Sequence, residues 1–178
     1  MSSPRRPGVV LLLVLLGPLH AIGQVVDVPR AWLGVWKLNP KQSTFDARAP
    51  VVVQGQTLTI EAIGDALTLT GDTTLRDGRR VPEVARINLN GEPTIGPGGA
   101  VTVFKAIDRS TFDIIVTVTS PAIGEARGVN RFVFSPDGRS LVETKTQTVR
   151  EAVPAGQAGP KGAEAAPVTS VLVFERQE

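Results

Sequence analysis

From Thr57 onward the chain alternates. Thr57-Leu58-Thr59-Ile60-Glu61-Ala62 sends apolar side chains to one face and polar ones to the other, the period-two signature of a half-buried β-strand. Gly64-Asp65 then turns the chain, and Leu67-Thr68-Leu69-Thr70 returns with the same alternation, which predicts a hairpin. A second hairpin is expected at Asp77-Gly78, joining Thr73–Arg76 to Val81–Leu89. Val101–Ile107 and Phe112–Thr119 form the next pair, with Phe112, Ile114, Val116 and Val118 on one face. Gly124–Phe134 follows, then a Ser135-Pro136-Asp137-Gly138 turn, then Leu141–Val149. Val168–Arg176 closes the series with Val168, Ser170, Leu172 and Phe174 together. Between these runs, Asn90–Gly99 holds four glycines and two prolines and is expected to be a loop. Upstream, Ala31–Asn39 reads as the opening strand, with both tryptophans of the chain on one face (Trp32, Gly34, Trp36, Leu38) and Asn39-Pro40 as its stop.

No helical period interrupts residues 24–178. About eight to nine short strands with hairpin links predict an all-β fold, a single antiparallel up-and-down β-barrel, with a sandwich as the alternative. A barrel leaves no long edge unpaired, which suits an exported monomer. Residues 1–23 stand apart: Arg5-Arg6, an unbroken apolar run from Val9 to Leu16, Gly17-Pro18 and a small-residue end at Ala21-Ile22-Gly23. That is the pattern of a secretory signal cleaved before Gln24, and the run is too short to span a bilayer. The expected domain is therefore 24–178, exported to a periplasm or the extracellular space, with no stable membrane insertion after cleavage. Pro154–Pro167, rich in Ala, Gly and Pro, is expected to be a mobile hairpin loop.

Removal of the signal changes the charge. Arg5 and Arg6 leave with it, so 17 of the 19 basic residues remain against 17 acids, and the mature chain is formally neutral. Nothing in that total calls for nucleic acid. The one histidine, His20, also lies in the signal, and the chain has no Cys and no Tyr. Histidine-based acid–base chemistry, thiol chemistry, zinc sites built on His or Cys, and haem ligation are thereby excluded from the mature chain. No cofactor, metal or catalytic group is expected. Asp137-Gly138 and Asp108-Arg109-Ser110 read as turns, since Ca²⁺ needs six or more oxygens and no loop holds a run of acids. Glu83, Lys105, Glu143 and Lys145 sit in strands beside apolar residues, with their faces undetermined. Arg79-Arg80, Arg127 and Arg131 read as a solvated face, and the threonine rows as an outer sheet face.

Gly34-Val35-Trp36 resembles the Gly-x-Trp of the first strand of lipocalins and related barrels, the calycins. Gly34–Leu38 followed by Phe45-Asp46 is also similar to the start of intracellular fatty-acid-binding proteins. The whole of 24–178 resembles the small exported lipocalin-like domains of bacteria. The resemblance implies that Trp36 plugs the closed end of the barrel, with Gly34 beside it. It offers Arg176 as the arginine lying across that tryptophan; a solvated terminal residue is the other reading. The chain departs from both patterns. It lacks the tyrosine of the lipocalin Thr-Asp-Tyr loop, and Leu172-Val173-Phe174 stands where fatty-acid-binding proteins place an Arg-x-Tyr that grips a carboxylate. Their two-helix lid has no counterpart either.

The expectation is a non-enzymatic barrel holding a small apolar ligand. Its candidate lining is Leu58, Ile60, Leu67, Leu69, Ile114, Val116, Phe132, Leu172 and Phe174. The same set would fill a solid core, which leaves a structural or interaction scaffold of the cell envelope as the alternative. An enzyme would need a buried carboxylate with a polar partner facing a pocket.

Overall fold

The alternating segments pair into one antiparallel sheet that curls into a nearly closed barrel. The computed structural model describes residues 27–49, 53–120, 124–150 and 164–178; the expected signal and residues 154–163 of the expected hairpin loop lie outside them. Among the described residues there are ten strands: β1 (Gly34–Leu38), β2 (Val53–Ile63), β3 (Ala66–Leu75), β4 (Arg80–Asn88), β5 (Thr94–Ile95), β6 (Val101–Ala106), β7 (Thr111–Ser120), β8 (Gly124–Phe134), β9 (Ser140–Arg150) and β10 (Val168–Arg176). Their order is β4-β3-β2-β1-β10-β9-β8-β7-β6-β5, an up-and-down meander whose first and last strands pair in the middle of the sheet.

The strands differ from the expected eight or nine at two places, one merging two segments and one adding a strand. Leu67–Thr70 and Thr73–Arg76 belong to one strand, because Gly71 continues the ladder opposite Leu58 and Glu83. The glycine-rich stretch 90–99 is not all loop: Thr94 and Ile95 pair with Thr102 and Val101. The opening strand is also shorter than the alternation predicts. Trp32 N–H bonds to the Pro29 carbonyl at 2.9 Å, so Arg30–Trp32 forms a 3-10 turn before β1 begins.

The open seam lies between β4 and β5. β4 pairs only with β3 among the described residues, and it is a poor template for addition of another strand. Pro82 removes a backbone donor, and Arg80, Glu83 and Arg86 put charge along the edge.

Alternation sets the interior in layers. The lowest holds Trp36, Ile60, Leu67, Phe112, Leu141 and Phe174, all fully buried, with Phe134 beside them. The 3-10 turn adds Trp32, whose ring centroid lies 4.7 Å from that of Phe112 and 5.8 Å from that of Phe134. Its indole N–H donates to the Arg109 carbonyl at 3.0 Å, so the aromatic end satisfies its own polar atom.

The outer face carries a set of ion pairs. Arg131 makes a two-pronged contact with Asp113, at 2.8 and 2.9 Å, and its guanidinium holds that carboxyl below the usual range. Arg79 pairs with Asp77, and Arg80 with Asp72. Arg79, Arg80 and Arg131 are thus each matched with an acid. The Asp108 and Asp137 carboxylates accept bonds within their own turns, from Ser110 and from Ser135 and Arg139.

Candidate functional site

One end of the barrel is sealed by three residues. Arg176 lies over the Trp36 ring, with its guanidinium carbon 5.3 Å from the ring centroid. Nη2 donates to the Leu33 carbonyl at 2.7 Å, and Nη1 to the Gly138 carbonyl at 3.3 Å. Gly34 has φ of 129°, and a Cβ there would meet Arg176 Nη2 at 3.2 Å. The structure therefore brings Gly34, Trp36 and Arg176 together. Gly34→Ala is expected to cost roughly 1–3 kcal/mol, from the strained φ and the displaced guanidinium. Urea unfolding of the variant measures it; an unchanged midpoint would contradict the clamp.

Above the sealed end, alternation stops filling the barrel. A cavity of about 140 Å³ is lined by Leu58, Leu69, Ile114, Val116 and Phe132, with Gln56, Glu83, Asn130, Glu143 and Lys145 on its upper wall. A second, larger cavity of about 290 Å³ is lined by Val53, Leu75, Val81, Val168 and Leu172, and shares Gln56, Glu83 and Lys145 with the first. Phe45 and Ala49 cover part of it. They sit in the β1–β2 connection, which is stapled to β10. Thr44 and Val171 exchange backbone bonds at 2.7 and 2.8 Å. Ser43 Oγ accepts from Val173 N at 3.0 Å, and Ser170 Oγ accepts from Asp46 N at 3.2 Å. Arg48 donates to both Asp46 and the Pro167 carbonyl, and holds the Asp46 carboxyl well below its ordinary range.

A bulge in β2 helps to shape the mouth. The register slips between Val53 and Gly55, so odd-numbered Val53 turns inward on the strand whose even-numbered Gln56 and Leu58 already do. An extra residue in one strand re-aims side chains in this way.

Of the nine residues expected to line a site, Leu58, Leu69, Ile114, Val116 and Phe132 face the smaller cavity and Leu172 the larger. Ile60, Leu67 and Phe174 do not: each is fully buried in the packed layer below. Alternation assigns a face, but not a height along the barrel, and the three sit one layer too low.

Between the apolar layer and the mouth runs a polar waist that the sequence reading left without a face. Gln56 and Glu143 are 7% and 3% exposed. Lys145 Nζ stands 3.5 Å from Glu143 Oε1. Burial raises the Glu143 carboxyl above its ordinary value against the pull of Lys145, and the charge of Glu83 pushes the same way. The signal was present in β9: Leu141, Glu143 and Lys145 are two residues apart, so an inward Leu141 turns all three inward.

No family model matches the chain, and no curated protein matches it. Among solved structures, one titled "Structure of EF1p2_mFAP2b bound to DFHBI" aligns over 83% of this chain and 94% of that one, with 16% identity and a TM-score of 0.40. The barrel assignment rests on the strand pairing described above.

Proposed function

We propose that this chain is an exported, calycin-like barrel that binds a small, largely apolar molecule and does not transform it. The observation that carries the reading is the unfilled interior. Above the aromatic seal, two cavities of about 290 and 140 Å³ share three wall residues. The larger alone comes close to the lower end of the range in which small-molecule pockets fall, ~300–1,000 Å³, and the two together lie within it. A scaffold with a filled core would have no reason to leave this space open, since each void forfeits packing contacts. Export is supported by the signal pattern of residues 1–23.

The test is titration with the neutral dye N-phenyl-1-naphthylamine. The dye is expected to brighten and saturate at one molecule per chain. Val168→Trp, placed at the rim of the larger cavity, is expected to abolish that response while leaving the far-ultraviolet β spectrum unchanged. No brightening, or brightening that survives Val168→Trp, would count against the reading.

Glu143 gives a second reading a specific footing. A buried carboxylate of raised pKa beside a lysine, facing a cavity, is an arrangement that general acid catalysis uses. Any turnover by the purified protein that Glu143→Gln removed, with dye binding intact, would favour an enzyme over a carrier.

A further inference from the structure

We propose that the waist of the barrel selects ligands carrying an ammonium group, or a similar cationic hydrogen-bond donor, on an apolar body. Gln56 Oε1 and the carboxylates of Glu83 and Glu143 would hold the head group. The inference rests on the carrier reading above and names the chemistry of its ligand.

Three observations point the same way. Gln56 is 7% exposed and lines both cavities, yet its Oε1 has no hydrogen-bond partner among the described residues. An amide oxygen can only accept, and a buried acceptor left empty costs ~1–3 kcal/mol. A donor on a ligand would remove that cost.

One carboxylate on the walls is also left without an ion-pair partner among the described residues. Among the described residues, Glu83, Glu143 and Lys145 are the only charged ones lining either cavity. Two carboxylates therefore face one ammonium. Lys145 stands by Glu143, and Glu83 has no ion-pair partner among the described residues. A ligand cation would find in Glu83 a carboxylate with no ion-pair partner among the described residues, whereas a ligand carboxylate would meet that like charge and a lysine already beside Glu143.

Space is left at that height as well. Gly71 on β3 has no side chain, and a Cβ there would lie 3.6 Å from Gln56 Nε2 and 3.7 Å from Glu83 Cβ. Below, Leu58, Leu69, Ile114 and Phe132 offer an apolar wall for the body of the molecule.

The experiment is calorimetric titration of the mature protein with octylammonium, octanoate and octanol at about pH 7.5, where the first two carry full opposite charges. Octylammonium is expected to bind at least about tenfold more tightly than octanoate, with octanol between them. Glu83→Gln and Glu143→Gln are each expected to weaken octylammonium several-fold and to leave octanol unchanged. Should the Glu143→Gln chain not fold, Glu83→Gln carries the comparison, because that residue is exposed on an edge strand. Octanoate binding as tightly as octylammonium, or indifference of octylammonium to Glu83→Gln, would overturn the head-group assignment and leave the carrier intact. Binding of none of the three would overturn the carrier reading and this inference with it.

Discussion

Trp36→Ala is expected to lower the unfolding free energy by about 3–5 kcal/mol, the usual cost of truncating a fully buried tryptophan. Several contacts go at once. The ring has no exposed surface and meets Phe134 at 5.4 Å in an edge-on arrangement. Its N–H donates to the Trp32 carbonyl at 3.3 Å, and its face carries the Arg176 guanidinium. Trp36 also stands opposite Leu58 on one side and Arg176 on the other, at the junction of the first and last strands. For a chain of this length the loss corresponds to a fall in Tm of roughly 10 °C or more. Thermal unfolding followed by circular dichroism measures it. A fall of only a degree or two would mean that the sealed end is not the keystone of the barrel.

Lys145→Met is expected to lose about 1–3 kcal/mol at about pH 8, and much less at about pH 4.5. Removing one partner of a buried pair strands the other charge, at ~3–5 kcal/mol when burial is complete. Here the lysine side chain is 38% exposed, so solvent reaches the pair and reduces that figure. The direction with pH follows from Glu143. Burial raises its native pKa above the ordinary carboxyl value of 4.5. Between that value and the raised one the native state holds more protons than the unfolded chain, so stability falls as pH rises. Below 4.5 the carboxyl is protonated in both states and the cost disappears. Without Lys145 the native value climbs further and the window widens. Adding Glu143→Gln to Lys145→Met is expected to regain most of the loss. Urea unfolding of the wild type and the two variants at the two pH values checks this; a pH-independent loss would contradict the inward, paired placement of Glu143.

The barrel was legible because its strands obey a strict period of two and its turns carry Gly-Asp, Asp-Gly and Ser-Pro-Asp-Gly signals. The limits of that legibility are local. Gly71 reads as a break between Thr70 and Asp72, yet it continues β3 and leaves space beside Gln56 and Glu83. Thr94-Ile95 is hidden among glycines and prolines because a two-residue strand has no period to show. The sealed end was readable from Gly34 and Trp36, both in one short strand, while Arg176 meets them through a strand pairing 140 residues along the chain. The site itself was only half legible. Its apolar wall follows from alternation, but which rung of each strand borders the cavity depends on the stagger between strands, and that is a property of the closed sheet. The polar waist stayed undetermined because Glu143 and Lys145, read singly, fit either face; their phase relative to Leu141 turns them inward.

The central claim is that the space above the aromatic seal is built to be occupied. Native mass spectrometry of the protein, purified without denaturation from cells that make it, tests this most directly. The account predicts a chain carrying one small molecule, released by organic solvent and absent from Val168→Trp. A chain that flies at its bare mass, and that fails to brighten N-phenyl-1-naphthylamine, would contradict it.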